Sequence, residues 1–270
     1  MRAAVLATPV TAAGKGYEPP SLEAFHFKSF FDFSVLGVQF HVTKIVTMML
    51  FATLVIAIFF LAAFRHPRLV PGKLQAAGEI IYDFIRNSIA VDVIGREGVR
   101  FAPYLTTLFA FVFLNNLFGI LPLAQVPVNS RIAFPAFLAL ISWVLFNYLG
   151  IQRKGFGPYF KEMLFPPGVP KPVYILLTPI EFVSTLFVRP FTLAVRLFAN
   201  MFAGHIMLLV FISGTTYLLT VSNFTKAFAP VSFLMAIVLS VFEMLIIALQ
   251  AYIFTILTAQ YVSGALAEEH

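Results

Sequence analysis

The sequence contains no cysteine and very little charge. Without cysteine there is neither a disulfide framework nor a thiolate metal site, and the redox compartment stays open. Asp, Glu, Lys and Arg make up 11% of the residues, where a soluble domain carries about 25%. That shortfall argues against a water-soluble enzyme and points to a polytopic membrane protein. No Gly-x-x-x-x-Gly-Lys phosphate loop occurs, so no nucleotide site of that kind is expected. No internal repeat is visible. Met1–Leu6 offers one Arg and a short apolar run, too little for a signal peptide. The first apolar span is therefore expected to do the targeting, with nothing removed.

What is present is apolar: 60% of the 270 residues are hydrophobic and 33 are Phe. A net charge of +6 would suggest nucleic acid in a soluble chain. Here Lys and Arg cluster in particular loops, which is the positive-inside pattern, and no nucleic-acid partner is expected.

Taken in order, residues 1–40 read as a tail with a short aromatic interfacial piece near Phe25–Phe33, and 41–270 as one membrane domain. Ile45–Phe64 is free of charge over 20 residues, enough to cross a ~30 Å hydrocarbon core. Phe101–Leu121 and Ile132–Gln152 are likewise uncharged. Between the first two spans, Leu74, Ala77, Ile80, Ile81, Phe84, Ile85 and Ile89 recur at helical spacing among charged residues. That predicts an interfacial amphipathic helix over about 73–92. Two longer apolar segments follow, 173–213 and 224–266, separated by a polar turn around Gly214–Asn223. Each is long enough for a helix of roughly 60 Å. Each should break, with Pro179, Pro190 and Pro230 as the candidate positions, or run steeply tilted. The expected fold is an all-α membrane protein with five embedded helices and one interfacial helix, the last two long and tilted in an antiparallel hairpin.

Loop 65–100 carries six Lys and Arg residues and loop 152–172 carries four, against one each, Arg131 and Lys226, on the opposite side. The basic loops and the C-terminus are therefore expected in the cytoplasm and the N-terminus outside, in the inner (plasma) membrane of a cell.

The polar groups inside the spans carry the functional reading. They are Asn115 and Asn116 in the second span; Glu181, Ser184, Arg189, Thr192, Arg196, Asn200 and His205 in the fourth; Glu243 and Gln250 in the fifth. Lone Asn, Ser or Thr residues ordinarily serve as glue between helices, and Arg189 lies where it can snorkel. Arg196 sits too deep for that, and an ionisable residue at membrane depth is a functional signal. Arg196 and Asn200 are four apart and share a helix face; Arg196 and His205 are nine apart, about 180° around the helix. In an antiparallel hairpin facing residues have a constant index sum. Arg196 with Gln250 gives 446 and His205 with Glu243 gives 448, so one register brings both pairs level. Arg cannot give up its proton and must act as a fixed charge, whereas His and Glu can exchange protons. A barrier beside a proton path fits this set; an Arg–carboxylate lock between helices is the structural alternative.

The run Arg196-Leu-Phe-Ala-Asn200-Met-Phe-Ala-Gly204-His205 resembles the subunit a family of the F-type ATP synthases, as do Leu249-Gln250-Ala251-Tyr252-Ile253-Phe254 and the ending Glu268-Glu269-His270. The likeness extends back to Asn115-Asn116-x-x-Gly119-x-x-Pro122. The resemblance implies a non-catalytic, proton-translocating stator subunit with two offset half-channels. Its implied partners are a ring of c subunits, the b subunits of a peripheral stalk and the lipid bilayer, with no small-molecule substrate other than protons. Arg196 then corresponds to the essential arginine facing the ring. His205 and Glu243 correspond to a Glu and a His that many members carry in the opposite order. Gln250, Asn200 and Asn116 would line the path near Arg196, and Glu181 and Ser184 resemble residues of the cytoplasmic half-channel. The interval from Glu181 to Pro190 is one residue longer than the family pattern.

Two other classes compete. A secondary transporter would use Arg196 to bind or couple an anion and would show paired repeats. A metal centre on His205 and Glu243 would need a third ligand, and the remaining His residues lie in the tail, at loop edges or at the terminus. Neither a metal nor a cofactor is expected.

Overall fold

In a computed structural model the described residues are Tyr17, 29–35, 38–121, 128–165, 170, 173–221 and 223–267. Residues 25–28 of the expected aromatic piece, Pro122 of the second motif and the ending Glu268-Glu269-His270 lie outside them.

The chain is an all-α membrane protein preceded by one short hairpin. Strands β1 (Ser29–Val35) and β2 (Val38–Thr43) pair antiparallel, with Asp32 opposite His41 and Phe33 opposite Phe40. This hairpin stands where an interfacial piece was expected, and it crosses the boundary placed at residue 40. Residues 29–43 are rich in Phe and Val, types that suit a pleated ribbon.

Helix α1 (Lys44–Phe64) follows directly, and its large side chains face outward, Leu61 at 71% exposure. Such a surface is stable only against lipid or another protein. The amphipathic stretch forms α2 (Lys73–Ile85) and continues as a wider π-helical turn over Arg86–Ile94. Ile85, Ile89 and Ala90 are buried, while Leu74, Ile80 and Phe84 remain exposed, so only part of the expected apolar stripe packs inward. A 3₁₀ turn over Arg96–Phe101 leads into α3 (Ala102–Ile120), which accepts Pro103 in its first turn. Helix α4 (Ala133–Lys154) ends at Gly155, whose φ of 85° is a left-handed stop. Helix α5 (Phe156–Leu164) then folds back so that Tyr159 lies over Gly150. A Cβ on Gly150 would stand 2.2 Å from the Tyr159 ring, so this close approach requires glycine. The Tyr159 hydroxyl donates to Asn147 Oδ1 at 3.1 Å.

The two long segments are the frame of the molecule. Helix α6 (Tyr174–Val183), a π-helical turn over Ser184–Val188 and α7 (Arg189–Val221) form one run. Pro190 has no N–H to give to the carbonyl of Leu186, and the widened turn sits where that bond would be. A π turn takes up one residue more than an α-helical turn without breaking the helix, and this one lies inside the interval from Glu181 to Pro190 that is expected to be one residue longer than the family pattern. The polar turn expected at Gly214–Asn223 is mostly helical instead, because the hydroxyls satisfy themselves on the helix backbone. Ser213 donates to the Leu209 carbonyl, Thr215 to that of Phe211 and Thr216 to that of Ile212. After the single turn α8 (Asn223–Lys226), α9 (Ala229–Leu266) returns antiparallel; Pro230 starts this helix rather than breaking it. Its 38 residues span about 57 Å, nearly twice a bilayer core.

Leu108 and Val112 of α3, Ala139 of α4, Leu193, Ala194 and Leu197 of α7, and Ala251 and Phe254 of α9 form the central core. Ala194 and Ala251 let the helices approach closely. Five helical runs are long and apolar enough to cross a membrane: Lys44–Phe64, Arg96–Ile120, Ala133–Lys154, Tyr174–Val221 and Phe224–Leu266.

Candidate functional site

The faces of α7 carry opposite chemistry, as the nine-residue spacing predicts. Arg196 is exposed on the outer face, among Thr192, Ala199 and Ala203 on the same stripe. It makes no hydrogen bond or ion pair with any described residue. The locking Arg–carboxylate pair is therefore absent among the described residues. His205 is turned inward and only 7% exposed.

The α7–α9 register is antiparallel and close to the one expected. Asn200 donates to Gln250 Oε1 at 2.7 Å, and Thr215 donates to Ser232 at 3.0 Å. Between them the Glu243 carboxylate lies against Gly204, where an added Cβ would stand 2.9 Å from Oε1. His205 and Glu243 are thus brought to one level and both are buried. Neither Glu243 oxygen accepts a hydrogen bond from a described residue, the His205 ring included. The Gln250 amide nitrogen is likewise buried without an acceptor among the described residues.

Glu243 and Gln250, without His205, border a cavity of about 10 Å³ whose other lining residues are Asn116, Asn200, Met201, Ile246 and Ile247. That is room for about one water. The lining brings one acid, Glu243, together with three amides, Asn116, Asn200 and Gln250, and Asn200 stands one helical turn beyond Arg196 on α7. Glu181 and Ser184 do not join this cluster. They are half-buried at the end of α6 and the start of the π turn, 15 and 12 residues before Arg196, or roughly 20 Å along the helix. Among the described residues no three acidic or His side chains gather as a metal-holding group.

Residues 45–263 match the protein family described as ATP synthase A chain. The chain belongs to that family. Relatives covering almost all of the chain carry the name ATP synthase subunit a. The protein of Frankia alni is 48% identical over 98% of this chain and 92% of its own length. That of Parafrankia is 49% identical over 95% and 86%, and that of Nocardioides is 44% identical over 96% and 97%. Membership of the ATP synthase A chain family gives no support to the transporter reading.

Three features of this family member escaped the sequence. Asn129, in a buried turn between α3 and α4, donates to Asn116 Oδ1 at 2.6 Å. Gly204 makes room for the Glu243 carboxylate. The carbonyl of Thr185, inside the π turn, accepts from the Trp143 indole at 3.2 Å. Only Gly204 left a signal, as a small residue inside the arginine motif. Half-buried Arg189 stacks over the Tyr261 ring at 5.5 Å, a cation–π contact within the protein.

Proposed function

We propose that this chain is the stationary, proton-conducting subunit of an F-type ATP synthase, with two offset half-channels that load and unload carboxylates on a ring of c subunits. The observation that carries the reading is the division of α7: Arg196, charged and unpaired within the described residues, stands on an exposed stripe with Thr192, Ala199 and Ala203, and toward α9 the helix borders a cavity lined by Glu243 and the amides of Asn116, Asn200 and Gln250. An exposed guanidinium at mid-span is costly against lipid. Against a passing rotor carboxylate it is favourable, because it stabilises the ionised form. Arg stays protonated at every physiological pH, so the same charge repels a proton moving straight between the half-channels.

Protons come from outside past His205 and Glu243, through the cavity lined by Asn116, Asn200 and Gln250, and neutralise a rotor carboxylate. The neutral carboxyl then travels through lipid and releases its proton near Glu181 and Ser184 on the cytoplasmic side. The membrane potential supplies about 2.3 kcal/mol per charge for each 100 mV. This subunit performs no bond-making chemistry and holds no nucleotide; it converts proton flow into rotation. The N-terminal side of the β1–β2 hairpin faces outside, the C-terminal end of α9 faces the cytoplasm, and the b subunits hold the membrane unit against the ring.

The docking face is tested with cysteine, which the chain lacks. A cysteine replacing Ala199, on the Arg196 stripe, should form an oxidative cross-link to a cysteine placed beside the c-subunit carboxylate. A cysteine replacing Leu61 on α1 should not. Cross-linking from Leu61 alone would overturn the assignment of the face.

A further inference from the structure

The turn Val128–Ser130 lies in the connection between α3 and α4, where loops usually run over a surface, yet all three residues are buried. Asn129 is 1% exposed, and its Nδ2 stands 2.6 Å from Oδ1 of Asn116, which is also 1% exposed. Asn116 in turn lines the cavity that holds Glu243 and Gln250. A carboxamide has an acceptor on one side and donors on the other, and its partner decides which way it points. Asn129 takes the Asn116 oxygen, so the groups Asn116 has left to offer the cavity are its N–H donors. The acceptors in that cavity include the two Glu243 oxygens, which receive no hydrogen bond from any described residue.

We infer that Asn129 is a positioning residue for proton conduction: it reaches into the membrane unit from the α3–α4 connection and fixes the Asn116 amide with its donors toward the Glu243 cavity. The inference rests on the proton-conducting reading of that cavity. Asn129 itself touches no proton acceptor; it acts through Asn116. The connection between two spans thereby becomes part of the inlet, and the polarity of the Asn116 amide is set by the Asn129 side chain and not by α3.

The test uses inverted membrane vesicles carrying the complete ATP synthase, with proton-driven ATP synthesis normalised to the amount of assembled complex. Asn129→Ala removes the donor and Asn129→Ser returns a hydroxyl donor on a side chain one atom shorter. Alanine should lower the rate per complex about tenfold, the cost of one buried hydrogen bond, and serine should stay within about threefold of the parent. Adding Asn116→Ala to Asn129→Ala should cost no more than Asn116→Ala alone, because the two act in series. Equal rates for the alanine and serine variants, or losses that multiply in the double variant, would overturn the inference. So would failure of both Asn129 variants to assemble while Asn116→Ala assembles, since that marks a purely structural role. An Arg196→Ala control separates the two levels. If that control still couples proton flow, the reading of the cavity itself fails; if it is inactive while Ala and Ser at 129 are equal, only the role of Asn129 falls.

Discussion

Asn200 and Gln250 face each other across the long hairpin, with the Asn200 amide donating to Gln250 Oε1 at 2.7 Å. The bond ties the helix bearing Arg196 to the helix bearing Glu243 at the rim of the polar cavity. Gln250→Leu removes the acceptor while keeping the volume. It should lower ATP-driven proton pumping by about tenfold, the cost of one buried amide pair. The double variant with Asn200→Leu should be far better than the product of the two single losses. Pumping measured by quenching of a pH-sensitive dye in inverted vesicles reads both.

Gly204 controls the position of Glu243. A Cβ there would stand 2.9 Å from Oε1 and 3.1 Å from Cδ, and the carboxylate is the flexible end of its side chain, so it yields instead of the backbone. Gly204→Ala should therefore assemble normally and slow proton-driven ATP synthesis several-fold, whereas Gly204→Val, with no such room, should abolish it. Synthesis rates per assembled complex check this; an unaffected alanine variant would show that the carboxylate position is not critical.

His205 and Glu243 are level and buried without a direct bond between them. If they serve one path together, Glu243→Ala impairs conduction, and exchanging the two identities, His205→Glu with Glu243→His, restores part of it. Conduction through membranes stripped of the soluble head measures the exchange. No recovery would mean that the two act separately.

Much of this was legible in the sequence because membrane helices obey two simple periodicities. The apolar runs at Ile45–Phe64 and Ile132–Gln152 become α1 and α4 nearly residue for residue. The spacing of Arg196, Asn200 and His205 sets which face each occupies, and the index sum sets the hairpin register. What escaped depends on contacts that no period encodes. The hydroxyls of Ser213, Thr215 and Thr216 look like a turn in sequence but bond to their own helix. Strands Ser29–Val35 and Val38–Thr43 exist through each other, not through either segment alone. Asn129 sits in a connection, and nothing in its neighbours announces that this connection re-enters the bundle. For Glu181 and Ser184 the sequence does not announce the π turn that Ser184 opens.

Tyr159 on α5 gives a stability test away from the proton path. Burial raises its hydroxyl above the ordinary tyrosine value of 10.0, so the folded protein holds this proton more tightly than the unfolded chain does. The unfolded state then binds fewer protons as pH passes 10.0, and stability falls with rising pH. Tyr159→Phe removes that dependence but leaves Asn147 Oδ1 without its donor, a loss of about 1–3 kcal/mol. Thermal unfolding should find the phenylalanine variant less stable at pH 7, with the gap narrowing above pH 10.0.

The central claim is that Arg196, exposed on α7 and unpaired within the described residues, is the fixed charge between two half-channels. Its most direct test is ATP-driven proton pumping by inverted vesicles carrying Arg196→Ala, with ATP hydrolysis followed in the same sample. The account predicts that pumping falls to background while hydrolysis by the soluble head persists. Pumping that continues at the parental rate would contradict it.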